Sequence, residues 1–172
     1  WTQVTGNPKR DVPVGTFEFP AAMGIGPSLA LGFCLARPET KVILFDGDGS
    51  LLVNLGILVT IANKAPKDLF HFVMDNGVYA TTGGQDVPGA GRASYADMAR
   101  AAGYPHSYEF DDLEEFTSQA ESVLSQEGPV LICVKTVPSI RHSRASGGAA
   151  TNEITRGRPR AISNLLEQFG AG

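Results

Sequence analysis

Two short segments hold residue types that can do chemistry together. Gly47-Asp48-Gly49-Ser50 closes a largely apolar run, residues 41–45. Asp75-Asn76-Gly77-Val78-Tyr79 closes a second apolar run, residues 69–74, and sets Asn76 28 positions after Asp48. If both runs are neighbouring strands of a β-α-β unit, a carboxylate, an amide oxygen and a bare backbone turn meet at one point. A hard cation such as Mg²⁺ takes oxygen ligands, typically a carboxylate or two plus phosphate oxygens. Glycines let the chain turn tightly and let a phosphate approach the backbone. The pair reads as a metal–diphosphate site. Asp48 taken alone reads equally well as a turn aspartate capping the next helix.

The elements that must position these segments follow from pattern. Residues 22–36 are small and apolar with no charge before Arg37, which suits a buried helix ended ahead of Pro38. Residues 41–46 form a strand covered on both faces. Residues 50–64 repeat Leu51, Leu55, Leu58 and Ala62 at helical steps. A strand at 69–74 follows, then an irregular loop over 75–93 with Pro88 and four glycines between Gly83 and Gly91. A capping-box-like Ser94-Tyr95-Ala96-Asp97 opens a helix to about Ala102. The pattern then predicts a strand at 107–110, a helix at 112–126 capped by Asp111 or Asp112, and a strand at 129–136. A loop over 138–158 and an amphipathic helix at 159–169, with Pro159 in its first turn, end the chain. Alternating strands and helices predict an α/β fold, a parallel sheet with helices on both faces. The 172 residues suit one domain, with a Pro/Gly-rich strap over residues 1–20 and a basic tail over 138–172.

The paired motifs resemble the thiamine diphosphate motif, a Gly-Asp-Gly followed after about 25–30 residues by an asparagine turn. The resemblance extends back to Ala22-Met23-Gly24-Ile25-Gly26 and forward to Thr81-Thr82-Gly83-Gly84-Gln85, covering roughly residues 15–136. It is most similar to the diphosphate-binding half of the sulfopyruvate and phosphonopyruvate decarboxylases. Acetolactate synthases and pyruvate decarboxylases share the motif more distantly. The resemblance implies a thiamine diphosphate-binding fold. It implies Mg²⁺ bound by the Asp48 carboxylate, the Asn76 side-chain oxygen and the Val78 main-chain carbonyl. Gly49 and Ser50 hold the diphosphate. Met23, otherwise a core gap-filler, props the cofactor in a bent conformation, and the Ala21 carbonyl and Met23 N–H meet the aminopyrimidine. Asp75 stands where many relatives have asparagine; it can be read as a further metal ligand, but the following asparagine is the matching ligand, so it reads as an acceptor behind the ligands. Thr82 and Gln85 lie beside the thiazolium. Thr82 falls where some pyruvate decarboxylases place a glutamate, which leaves direct acid catalysis there in doubt. Tyr79 reads equally as packing or as pocket wall.

The implied activity is lyase chemistry: a subunit of a thiamine diphosphate-dependent 2-oxo acid decarboxylase that yields an aldehyde and CO₂. The alternatives are an acetolactate synthase-like carboligase subunit and a cofactor-binding module without turnover. The family's activating glutamate sits on a pyrimidine-binding domain. A chain of this length has room for one such domain, so the glutamate comes from another polypeptide or from a missing part of this one. Likeness to the two-chain sulfopyruvate decarboxylases implies a partner chain, and a hetero-oligomer.

Composition bounds the rest. No apolar run approaches the ~20 residues that span a bilayer. Cys34 and Cys133 both lie in apolar runs and read as free buried thiols of a reduced, cytoplasmic compartment. The net charge of −4 is uneven: residues 135–160 carry +5 and the remainder −9. No aromatic residues interleave with these arginines, which argues against a single-strand nucleic-acid platform. A small anionic 2-oxo acid suits the basic stretch. His71 lies within an apolar strand and reads as a satisfied core or surface-facing histidine rather than a catalyst. His106 and His142 have no evident partners.

Overall fold

Six strands and five helices make up residues 23–138, the part that the computed structural model describes. They are α1 (Gly26–Ala36), β1 (Val42–Gly47), α2 (Asp48–Val53), α3 (Ile57–Lys64), β2 (Leu69–Asp75), β3 (Val78–Tyr79), β4 (Gln85–Asp86), α4 (Tyr95–Ala102), β5 (His106–Phe110), α5 (Leu113–Leu124) and β6 (Val130–Lys135). The expected strap, the tail beyond residue 138 and the helix at 159–169 lie outside the described residues, as does Ala21.

Four parallel strands stand in the order β1-β2-β6-β5. From β1 through β2 to β5 the chain steps one way across the sheet, and α2, α3 and α4 pack on one face. Between β5 and β6 it steps back, and α5 lies on the other face. Right-handed crossovers demand this change of face when the direction reverses. Side-chain alternation then divides the core. Leu69, Val73, Leu131 and Cys133 point to α1–α4, where they meet Leu31, Leu51, Leu58, Ile61 and Ala99. Phe70, Phe72, Val130 and Ile132 point to α5, where they meet Val123 and Phe116. β2 is buried on both faces, so its near-continuous apolar run suits a central parallel strand.

Several expected boundaries differ. The helix expected over 50–64 is two helices, and the first starts at Asp48. Asn54 breaks it: it leaves helical geometry at φ −138°, and its side-chain N–H₂ donates to the Gly24 carbonyl at 3.1 Å. The first expected helix starts at Gly26, because Gly24 at φ +77° turns the chain before it. The loop expected over 75–93 contains a β3–β4 hairpin. β1 is not covered on both faces among the described residues: it ends the sheet and Phe45 is 53% exposed, though its ring stacks on Phe72. The caps agree with expectation. Asp112 accepts the Glu115 N–H at 2.8 Å, and Ser94 accepts the Asp97 N–H at 3.2 Å. Asp97 does not complete the box, because it pairs with Arg100 instead.

His71 is in the core, but it is neither satisfied nor surface-facing. It is fully buried and neither ring nitrogen has a hydrogen-bond partner. Its polar neighbour is Asp46, whose Oδ2 lies 3.6 Å from Nε2. The other Asp46 oxygen accepts the Gly47 N–H at 3.0 Å. Both cysteines are free and buried, as expected.

Candidate functional site

Parallel α/β sheets place ligands outside the carboxyl ends of their strands. Gly47 and Asp75 end β1 and β2 on that edge, side by side in the sheet. Asp48 is the first residue of α2 and is only 2% exposed. Its Oδ2 accepts the Gly77 N–H at 3.0 Å, a bond that ties the Gly-Asp-Gly turn to the asparagine turn across 29 residues. Burial, first, and the nearby Asp75 carboxylate push the Asp48 carboxyl above its ordinary range, against the Gly49 and Gly77 N–H bonds. A buried carboxylate in this state gains by meeting a cation.

The Asn76 Oδ1 accepts the Val78 N–H at 2.9 Å, and the Val78 carbonyl accepts the Ala80 N–H at 3.0 Å. Each oxygen keeps a second lone pair. One buried carboxylate, one amide oxygen and one backbone carbonyl thus lie on a single turn and the strand end beside it. This all-oxygen set fits Mg²⁺, which completes its octahedron with phosphate oxygens and water. It does not fit a structural zinc site, and no group of three or more His, Cys, Asp or Glu could hold a metal among the described residues.

Ser50 and Met23 are joined through the backbone. The Ser50 Oγ accepts the Gly24 N–H at 3.1 Å, so its own hydrogen stays available. With the Asn54–Gly24 bond, this docks the segment 23–25 on α2. Met23 is 42% exposed and is therefore not a core gap-filler. Gly49 is packed by the Tyr79 ring: a Cβ there would lie 2.3 Å from Tyr79 Cε1 and 3.1 Å from Val87 Cγ2. Tyr79 is half-buried and pins the hairpin to α2. Thr82 and Gln85 are exposed at the hairpin tip and bond to each other: the Thr82 hydroxyl to Gln85 Oε1 at 3.1 Å, and Gln85 Nε2 to the Thr82 carbonyl at 3.0 Å.

Two residues near the carboxylates escaped sequence reasoning. Lys135 donates to Asp75 Oδ2 at 2.6 Å. Burial opposes its charge, but the Asp75 bond outweighs it and holds the ammonium above its ordinary range. Tyr95, at the start of α4, is 2% exposed, and burial followed by the Asp48 and Asp75 charges pushes its phenol up. Lys135 had no local signal, because its place opposite Asp75 depends on β2 pairing with β6. Tyr95 had none, because its place in a capping box explained it.

The family model for the thiamine pyrophosphate enzyme C-terminal TPP-binding domain matches residues 10–134. The chain belongs to this family. Thiamine pyrophosphate is the same compound as thiamine diphosphate, and the matched span of the TPP-enzyme domain contains both motifs at the strand ends. A phosphonopyruvate decarboxylase from Streptomyces hygroscopicus is 37% identical over 140 residues, covering 81% of this chain and 34% of the relative. The sulfopyruvate decarboxylase subunit beta of Methanocaldococcus jannaschii is 35% identical over 122 residues, covering 71% of this chain and 64% of the relative. This TPP-enzyme chain thus spans about a third of the first relative and just under two-thirds of the second. Among solved structures, the thiamine diphosphate-dependent 4-hydroxybenzoylformate decarboxylase of Rhodococcus jostii RHA1 superposes with a TM-score of 0.59 at 27% identity. That match covers 69% of this chain and 24% of the other.

Proposed function

We propose that this chain is the diphosphate-binding part of a Mg²⁺- and thiamine diphosphate-dependent 2-oxo acid decarboxylase of the sulfopyruvate or phosphonopyruvate type. The observation that carries the reading is the 3.0 Å bond from the Gly77 N–H to Asp48 Oδ2, which brings both motifs to one point. Likeness to the two decarboxylases supports the substrate class. When bound, the cofactor supplies the carbanion-stabilising chemistry. The residues of this chain bind and orient it. Asp48, Asn76 and the Val78 carbonyl hold the Mg²⁺. The backbone at Gly49 and the Ser50 hydroxyl meet the diphosphate. Met23, exposed beside Ser50, would support the cofactor. Thr82 and Gln85 border the reacting carbon. Tyr79 walls the diphosphate and keeps the hairpin on Gly49.

The products are an aldehyde and CO₂, and the substrate is a small anionic 2-oxo acid. The glutamate that activates the pyrimidine comes from a partner chain carrying a pyrimidine-binding domain, which makes the enzyme a hetero-oligomer. The two buried free thiols suit a reducing, cytoplasmic setting. The test is reconstitution. The full chain is mixed with a pyrimidine-domain partner, thiamine diphosphate and Mg²⁺, and CO₂ and aldehyde are measured from sulfopyruvate and phosphonopyruvate. The reading expects release only with both chains. Carbon–carbon ligation without free aldehyde would favour the carboligase instead, and full activity of this chain alone would refute the split site.

A further inference from the structure

Asp75 is a carboxylate placed where it competes for the cation. It precedes Asn76, is 8% exposed, and stands near enough to Asp48 for its charge to act on that carboxyl. An anionic oxygen beside the site is a stronger ligand for a divalent ion than a neutral amide or a backbone carbonyl. Something must therefore hold Asp75 off the metal if the ligand set is to contain one carboxylate.

Lys135 is built to do this. It ends β6 in register with Asp75 at the end of β2. Its ammonium donates to Asp75 Oδ2 at 2.6 Å and lies 3.6 Å from Glu109 Oε1 on the next strand. Glu109 is itself held by the Ser94 hydroxyl at 3.2 Å. Lys135 thereby bridges Asp75 and Glu109, and its bond occupies the Asp75 Oδ2. The Thr136 N–H fixes the Asp75 carbonyl at 2.8 Å. A cleft of about 430 Å³ adjoins the pair and is lined by Asp75, Asn76, Lys135, Glu109 and Arg92.

Resting on the Mg²⁺ reading above, we propose that Lys135 is a positioning residue that sets metal specificity: by pinning Asp75 it limits the site to one carboxylate and so favours Mg²⁺ over Ca²⁺. Mg²⁺ keeps several waters and needs few protein carboxylates, whereas Ca²⁺ takes six to eight oxygens and gains from each added or bidentate carboxylate. Releasing Asp75 adds such a ligand.

The test is calorimetric titration of Mg²⁺ and of Ca²⁺ into the enzyme assembled with its partner chain, with thiamine diphosphate present. The readout is the ratio of the two dissociation constants, Ca²⁺ over Mg²⁺. Lys135→Met should lower that ratio at least tenfold. Asp75→Asn in the Lys135→Met background should return it to within twofold of wild type. Asp75→Asn alone should leave the ratio and the Mg²⁺ affinity within twofold. An unchanged ratio in a natively folded Lys135→Met enzyme overturns the inference. So does a tenfold loss of Mg²⁺ affinity in Asp75→Asn, which would make Asp75 a ligand already, and that arm serves if Lys135→Met does not fold. Failure of the wild-type enzyme to bind Mg²⁺ at all would overturn the metal reading itself, and this inference with it.

Discussion

Gly49→Ala probes the packing that brings the hairpin onto the site. A methyl at this position lies 2.3 Å from Tyr79 Cε1, 2.8 Å from Cδ1 and 3.1 Å from Val87 Cγ2. The first two distances are closer than real carbon atoms approach, so the ring must move. The hairpin limits that movement, because the Val87 N–H binds the Gly77 carbonyl and the Gly84 N–H binds the Tyr79 carbonyl, both at 2.9 Å. Overpacking of this kind costs roughly 1–3 kcal/mol. Alanine in a helix returns up to about 1 kcal/mol relative to glycine. The net loss is about 1–2 kcal/mol, which for a chain of this size is a fall in melting temperature of roughly 2–8 °C. Thermal and urea unfolding of the full chain, followed by circular dichroism, measures it. The sign should reverse in a Tyr79→Ala background: with the ring gone, Gly49→Ala becomes neutral or stabilises by up to about 1 kcal/mol. Equal destabilisation in both backgrounds would refute the argument that Tyr79 is what requires glycine at 49.

His71→Leu should leave stability unchanged or raise it in urea unfolding, because neither buried ring nitrogen has a hydrogen-bond partner to lose; a loss of about 3 kcal/mol would show instead that His71 and Asp46, 3.6 Å apart, act as a pair. Met23→Ala should lower the turnover of the assembled enzyme more than its cofactor affinity, whereas Met23→Leu, similar in volume, should retain much of the activity; equal loss for both would contradict the propping role. Burial pushes the Cys34 thiol up to about 11 and Cys133 up to about 12, so at pH 8 the thiolate fraction is roughly 10⁻³ or less and both should resist a disulfide reagent until the chain unfolds. Rapid titration of either thiol in the native chain would contradict their burial.

Much of the site was legible because its chemistry and its spacing coincide. Asp48 and Asn76 close consecutive strands, and parallel register alone brings strand ends together. The sheet was legible for the same reason, since β2, apart from His71, and β6 are apolar up to the charged residue that ends each. What escaped depends on tertiary contact. Nothing in the periodicity of residues 50–64 shows that Asn54 leaves the helix to hold the Gly24 carbonyl 30 residues away. The hairpin inside the expected loop is two short strands with exposed Gln85 and Asp86, too brief for alternation to register. His71 was placed in the core correctly, but the missing partners of its nitrogens follow only from what surrounds it. The Lys135–Asp75 pair needed the strand order β2-β6, which no local pattern specifies.

The central claim is that Asp48 and Asn76 together hold a Mg²⁺–diphosphate group. It is tested most directly by titrating thiamine diphosphate into the assembled enzyme, with and without Mg²⁺, for wild type, Asp48→Ala and Asn76→Ala. Asp48 is the sole anionic ligand assigned, so its removal should weaken Mg²⁺-dependent cofactor binding roughly 100-fold or more, beyond the 10–100-fold typical of outer-shell partners. Asn76→Ala should weaken it less, since a neutral oxygen is lost. Undiminished Mg²⁺-dependent binding in a folded Asp48→Ala enzyme would contradict the account.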